Sequence, residues 1–363
     1  MIPKDLNTFR SEVREYAQSR VRERAAHQDA TESFDAEVAL ELAQKGWLGI
    51  SAPTKLGGGG KPATWVYAAV EELAAEEIAA ASVLTGQFTL VSDLLARESP
   101  SLAKRWVPQI FQGAANGCYA LTEPDAGSNP AQLSTQVEQR GDSLVVTGQK
   151  MWITNGNIAD FAIVYGKETE QIGAYLVPLD DSTVTRQPIH GKMGFRASDT
   201  AELSFLGTVI PIENRIGELG QGLHVALRTL DNGRVGIAAL ATGALSGIKA
   251  RLAKAAKESG SQRAMATLAD TETGLAVSRA LLGSALARKE AGERFTKEAA
   301  MAKWRATASA VAAANALMET ESPTSPYTER MFRDVRVMEL FEGTSEIQKL
   351  IIGFAATGVK AFT

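Results

Sequence analysis

Leu144-Val145-Val146-Thr147, Phe161-Ala162-Ile163-Val164-Tyr165, Gly173-Ala174-Tyr175-Leu176-Val177 and Glu202-Leu203-Ser204-Phe205 are short β-rich runs inside residues 117–212. Branched and aromatic side chains suit a pleated, half-buried surface. Gly141-Asp142, Gly148-Gln149 and Pro178-Leu179-Asp180-Asp181 punctuate the runs as turns. The spacing leaves no room for intervening helices, so this segment reads as an antiparallel sandwich or barrel. No Gly-x-Gly-x-x-Gly follows any run, which argues against a dinucleotide-binding Rossmann unit.

Outward from this insert the chain is helical on both sides. Leu6, Phe9, Val13, Tyr16 and Val21 form one apolar stripe. A second helix is expected over about 34–45, ended by Gly46-Trp47-Leu48-Gly49. The run Lys55-Leu56-Gly57-Gly58-Gly59-Gly60-Lys61-Pro62 reads as a loop, and it lacks the Ser or Thr of a phosphate-binding P-loop. Helical patterning returns over 63–95 and 101–112. Beyond Gln221 the alanine-rich remainder predicts helices near 221–258, 265–292, 296–319, 328–341 and 346–359, with a Pro-Ser break at 322–326. Three domains are expected: 1–117 helical, 118–220 β-rich and 221–363 a helical bundle.

The chain has 363 residues, 45% apolar and 22% charged, with 38 Lys plus Arg against 42 Asp plus Glu. The slight negative balance disfavours a nucleic-acid reader. A single cysteine, Cys118, excludes an intrachain disulfide framework, and three scattered histidines offer no metal motif. The opening residues carry Asp5 and lead straight into an amphipathic helix, so no secretory leader is expected. The most apolar stretch, around 235–245, is shorter than the roughly 18 residues a membrane span needs. A cytoplasmic protein is the expectation.

Four segments carry candidate chemistry. Tyr119-Ala120-Leu121-Thr122-Glu123-Pro124-Asp125-Ala126-Gly127-Ser128-Asn129 sets hydroxyls and backbone amides along one loop, able to bond a planar heterocycle or a carbonyl; it is also an ordinary turn. In Lys150-Met151-Trp152-Ile153-Thr154-Asn155-Gly156, strand alternation places Trp152 and Thr154 on one face, as a ring wall with a hydroxyl or as a core tryptophan before a turn. In Leu230-Asp231-Asn232-Gly233-Arg234, Asp231 and Arg234 are an intrahelical pair or a polar clamp on a long ligand. In Phe341-Glu342-Gly343-Thr344-Ser345-Glu346-Ile347-Gln348, the Ser345/Gln348 spacing of a capping box restarts a helix and Gly343 permits the break. Glu342 then lies at a helix junction behind two apolar residues, where a dry carboxylate has a raised pKa suited to abstracting a weakly acidic C–H proton. It is equally a surface glutamate at a helix end.

Together and in order, these segments resemble the acyl-CoA dehydrogenase flavoproteins. The resemblance spans most of the chain. It rests on Leu121-Thr-Glu-Pro-x-Ala-Gly-Ser128, Lys150-x-Trp-Ile-Thr-Asn-Gly156, Met193-Gly-x-Arg-x-Ser-x-Thr-x-Glu-Leu203, Gly217-Glu-x-Gly-x-Gly222, Leu230-Asp-x-Gly-Arg234 and Arg333-Asp-x-Arg through Glu342-Gly-Thr-Ser-x-Ile-Gln348. It implies a mainly α fold: an N-terminal helical domain, a central β-domain and a C-terminal four-helix bundle. FAD would lie between the β-domain and the bundle. By resemblance, Leu121, Thr122, Ser128, Trp152, Thr154, Thr344 and Glu346 contact FAD. Ser128, Asp231, Arg234 and Gly343 contact the thioester, and Glu342 is the catalytic base. The implied reaction is 2,3-dehydrogenation of an acyl-CoA or acyl-carrier thioester. An electron-transferring flavoprotein would reoxidise the flavin, in a homo-oligomer or a heteromer with a paralogous subunit.

Two family features are absent. Where the family has Arg-x-x-Phe-Gly, this chain reads Ser259-Gly-Ser-Gln-Arg-Ala-Met-Ala266. Where the family has a Gln and a Gly-Gly-x-Gly turn, it reads Met318-Glu-Thr-Glu-Ser-Pro-Thr-Ser-Pro-Tyr327. In the family both reach across a subunit interface to the FAD diphosphate and adenine. Arg263 is the candidate substitute. Three alternatives stay open: FAD held by the remaining contacts, a paralogous partner supplying the missing half-site, or another role, such as a non-catalytic subunit. A flavin oxidase or monooxygenase on the same fold is a further alternative.

Overall fold

Asp5 opens the first helix by accepting the backbone N–H of Thr8, and Phe9, Val13 and Tyr16 bury one face of α1 (Leu6–Tyr16). The computed structural model describes residues 3–321 and 325–359. A π-helical turn, Ala17–Val21, carries α1 into α2 (Arg22–Thr31), and Asp35 caps α3 (Ala36–Gln44). The helical patterning over 63–95 is divided among several elements. It comprises α4 (Ala63–Ala74), α5 (Ile78–Leu84), a π-helical segment Thr85–Ser92 and α6 (Asp93–Glu98), with α7 (Pro100–Phe111) after it. At the break before Ile78 the Glu77 carboxylate accepts the N–H of Ala79 and caps a new helix, while pairing with buried Arg330 of a distant helix at 2.7 Å.

Among the described residues the strands are β1 (Gly117–Ala120), β2 (Gln136–Arg140), β3 (Ser143–Thr154), β4 (Phe161–Glu168), β5 (Gln171–Pro178), β6 (Val184–Pro188), β7 (Thr200–Pro211) and β8 (Arg215–Ile216). Seven run in the order β6-β7-β3-β2-β4-β5-β8 in one sheet, and β1 joins β4. The sheet is mixed rather than wholly antiparallel, because β1 and β2 both pair with β4 in parallel. Neither pair is joined by a tight turn: the β2–β3 hairpin lies in the connection, as parallel neighbours require. The inner faces of the strands, including Val146, Val164, Val177 and Phe205, share one apolar cluster. Phe161, Ile163, Tyr165 and Leu176 face the other way and join the main core with the helices.

Five helices follow: α8 (Gly222–Ser259), α9 (Gln262–Glu290), α10 (Thr296–Thr320), α11 (Pro326–Val337) and α12 (Ser345–Thr357). Residues 235–245 of α8 are all buried, so this part is apolar all round because α4, α9 and α10 pack about it. By length and composition, α8 and the stretch Ile78–Glu98 both suffice to cross a membrane, a longer reach than residues 235–245 suggested, but most of each lies inside the protein. Of the expected break at 322–326, residues 322–324 lie outside the described residues; Ser325 caps α11, with Pro326 at its start. The helix expected to reach 341 stops at Val337, leaving a turn that carries Glu342.

Candidate active site

The Tyr119–Asn129 loop begins at the end of β1 and is held from beneath by a buried ion pair. Lys150 Nζ, fully buried, donates to Glu123 Oε1 at 2.7 Å and to the Leu121 carbonyl at 3.2 Å. The Glu123 carboxylate also accepts from the backbone and hydroxyl of both Ser134 and Thr135. Burial alone would raise its pKa, but Lys150 and these donors win and hold it down at about 2. Burial brings Lys150 down to about 8 against the pull of Glu123. Glu123 and Ala126 exchange two backbone hydrogen bonds across the Pro124-Asp125 turn, which leaves Ser128 exposed, Thr122 half-buried and Leu121 buried.

The same loop meets β3. Met151 N–H donates to the Thr122 carbonyl at 2.9 Å, which brings Leu121 and Thr122 beside Trp152. Strict alternation fails here, because the β3–β7 register shifts between Lys150 and Ile153. Trp152 takes φ +61° and is 56% exposed. It is therefore no core tryptophan, and its place beside half-buried Thr154 comes from a bulge rather than from regular spacing. A bulky residue held at positive φ is strained, and such strain gathers at functional sites.

Glu342 comes from the turn between α11 and α12, facing α8. Its φ is +55° and that of Gly343 is +88°, two consecutive left-handed residues. Helix α12 starts one residue earlier in its cap than the Ser345/Gln348 pattern suggests: Thr344 accepts the Ile347 N–H at 3.3 Å. Gln348 instead donates to the carbonyls of Gly343 (2.8 Å) and Glu342 (3.3 Å). Glu346 is exposed, beside Lys349, and takes no part in these turn hydrogen bonds.

Opposite the carboxylate stands Gly233. A Cβ at position 233 would overlap Glu342 Oε2 and come within 2.7 Å of its Cδ, so only glycine leaves the room. Glu342 Oε2 is buried without a hydrogen-bond partner. Burial pushes its pKa up to about 7, although Arg234 and Lys303 pull the other way. Asp231 and Arg234 do form the intrahelical pair, at 2.5 Å, and Asp231 also accepts from Thr296 at 2.6 Å. Arg234 Nε is left buried without a partner.

Two residues without an expected role belong here. Lys303 of α10 is fully buried and donates to the Gly343 carbonyl at 2.6 Å. Its only sequence signal is a lysine within the alanine-rich Ala299-Ala300-Met301-Ala302 face. Tyr119 is close enough for Glu342 to raise its pKa after burial has done so, and its hydroxyl donates to the Ala226 carbonyl of α8 at 3.4 Å. β1 and α8 therefore meet at Ala226. Phe195 stacks edge-on against Phe341, with centroids 5.3 Å apart, and its N–H donates to Asp334 at 2.7 Å, so the β-domain buttresses the Glu342 turn. Arg263 lies elsewhere, paired with Glu319 at 2.5 Å on the surface.

Comparison with known proteins places the whole chain in one family. The chain matches the N-terminal, middle and C-terminal domain models of acyl-CoA dehydrogenase over residues 3–114, 118–207 and 220–356. It is 33% identical to the short-chain specific acyl-CoA dehydrogenase of Clostridium acetobutylicum over 97% of both chains. Among solved structures it resembles a Mycobacterium smegmatis glutaryl-CoA dehydrogenase in complex with FADH2 (TM-score 0.95, 28% identity, covering 99% of this chain and 96% of that one). It also resembles a chain solved in work on the electron transferring flavoprotein of Acidaminococcus fermentans (TM-score 0.94, 26% identity, covering 98% and 99%). With three domain models in register along nearly its whole length, the chain belongs to the acyl-CoA dehydrogenase family.

Proposed function

We propose that this chain 2,3-dehydrogenates an acyl-CoA thioester, with FAD as its cofactor and Glu342 as its base. The observation that carries the reading is the buried, unpartnered Glu342 Oε2 in the gap that Gly233 leaves. A carboxylate whose pKa sits at about 7 is poised to accept a proton from carbon near neutral pH. The residues fit the flavin end of FAD: an exposed tryptophan on a strained bulge beside the Leu121-Thr122 loop makes a wall for a flat ring. Leu121, Thr122, Ser128, Trp152, Thr154, Thr344 and Glu346 would hold the cofactor. Ser128, Asp231, Arg234 and Gly343 would hold the thioester.

When bound, FAD supplies an acceptor for the hydride leaving the β-carbon. The chain's own part is the proton at the α-carbon. Glu342 removes it, and the Glu342 N–H would donate to the thioester carbonyl as charge builds on its oxygen. Excluding water keeps the base's pKa high and strengthens that bond. An electron-transferring flavoprotein would collect the electrons. Purified protein that carries flavin absorbance and bleaches on titration with butyryl-CoA supports the reading; a colourless, inert protein after FAD reconstitution and co-expression with related subunits sinks it.

Arg263 favours a second reading. In this chain it pairs with Glu319, which offsets its charge, at a side chain 83% exposed. A paralogous subunit would then complete the cofactor site, and flavin absorbance would appear only on co-expression with that subunit.

A further inference from the structure

We propose that Lys303 is a positioning residue for the base: its ammonium, together with the Gln348 amide, ties down the Glu342–Gly343 turn and so aims the Glu342 carboxylate at the Gly233 gap. The inference rests on the assignment of Glu342 as base and adds a residue on a helix that none of the recognised motifs includes.

The geometry is a two-donor clamp. Lys303 Nζ donates to the Gly343 carbonyl at 2.6 Å, and Gln348 Nε2 donates to the same oxygen at 2.8 Å and to the Glu342 carbonyl at 3.3 Å. Both clamp residues are fully buried. Glu342 needs such restraint, since a non-glycine residue in the left-handed region holds its place only when its surroundings over-determine it. A buried lysine must itself be hydrogen-bonded, and here it shares the Gly343 carbonyl with Gln348, so both lone pairs of that oxygen hold the turn.

Lys303 also acts through its charge. Glu342 is faced by Arg234 from α8, Lys303 from α10 and the Tyr119 hydroxyl from β1. Lys303 is faced in turn by Glu342, Arg234, Glu339 and Glu346. Burial lowers Lys303 to about 7 while Glu342 pulls it upward, so the two groups titrate in the same range and each biases the other toward its charged form. Removing the cation leaves Glu342 with the pull of Arg234 but not that of Lys303, and the carboxyl then holds its proton to higher pH.

The test uses K303M, which keeps the buried stem without a donor or charge, and Q348M, which removes the other half of the clamp. In the flavin-loaded enzyme K303M lowers kcat by about tenfold or more while KM moves less than about threefold, and it shifts the acid limb of kcat/KM upward by about one pH unit. Q348M lowers kcat by about threefold without moving that limb. A second readout needs no turnover: the infrared carbonyl band of protonated Glu342, identified by its absence in E342Q, persists about one pH unit higher in K303M. K303Q, which retains a donor but no charge, serves where K303M does not fold; it recovers part of kcat and keeps the shifted band.

If wild type turns over no acyl-CoA yet the band shifts as described, the dehydrogenase reading falls while the link between Lys303 and Glu342 stands. If wild type turns over and K303M matches it within about twofold with an unmoved band, the Lys303 proposal is overturned and the function is untouched.

Discussion

Glu342 and Gly233, far apart in the chain, occupy one space: the carboxylate fills the volume that any side chain at 233 would take. Glycine inside a helix costs about 1 kcal/mol relative to alanine. On a buried helix enclosed by several others, this glycine is explained by what it leaves room for.

G233A is therefore expected to fold, and even to gain helix stability, while displacing the base. We expect kcat/KM to fall by about a hundredfold or more for such a displacement. Thermal unfolding alongside steady-state kinetics separates the two effects; a G233A enzyme with wild-type kcat/KM would show that the gap is not used.

The pH behaviour of Glu342 follows from its raised pKa of about 7. The base works ionised, so kcat/KM should rise with pH to a plateau above about 7, and E342Q should lose about 10²–10⁴-fold at every pH. The stability effect has the opposite slope. A carboxyl whose folded pKa lies above its unfolded value is stabilised in its protonated form, so its contribution is intact below pH 4.5 and is lost as pH rises through 7. E342Q should accordingly be more thermostable than wild type at pH 8 and indistinguishable from it at pH 4.5. A gain that is equal at both pH values would contradict the burial of this charge.

Lys150 and Glu123 hold the Tyr119–Asn129 loop from below. Removing one partner strands the other's charge among buried atoms, so K150M should cost about 3 kcal/mol. The double variant E123Q/K150M should recover part of that loss, because no ion is left uncompensated. Denaturant unfolding of the four-member cycle measures the coupling, and flavin content should track loop order in the same series.

Arg263 offers the opposite expectation. Its bond to Glu319 joins two largely exposed side chains, worth at most about 1 kcal/mol. R263A should leave flavin absorbance and kcat within about twofold of wild type. A loss of flavin in R263A would instead make this arginine the missing diphosphate contact and remove the support for a half-site partner.

Reading the residues in order reached the helix–sheet–helix arrangement, because apolar periods of 3.6 and 2 report directly which face of each element is buried. The runs at 144–147, 161–165, 173–177 and 202–205 all fall within strands, and α8 to α12 fall close to their expected spans. Local patterns missed what depends on a partner elsewhere. The break before Ile78 needs Glu77 to cap a helix while meeting Arg330. The parallel pairing of β1 and β2 with β4 is a matter of which edge each strand finds. The Trp152 bulge turns on a register shift that alternating residues do not announce.

The site divides the same way. That Glu342 follows apolar residues at a glycine-broken helix junction is written in consecutive letters, and so is the turn at Pro124-Asp125. That its Oε2 is buried without a partner and its pKa raised to about 7 was decided by packing, which set α8 on one side and brought the charges of Arg234 and Lys303 to bear on it. Periodicity constrains each helix only up to its own rotation and ends. The pKa of a buried group depends on the few charges within several ångströms, and those come from residues far away along the chain.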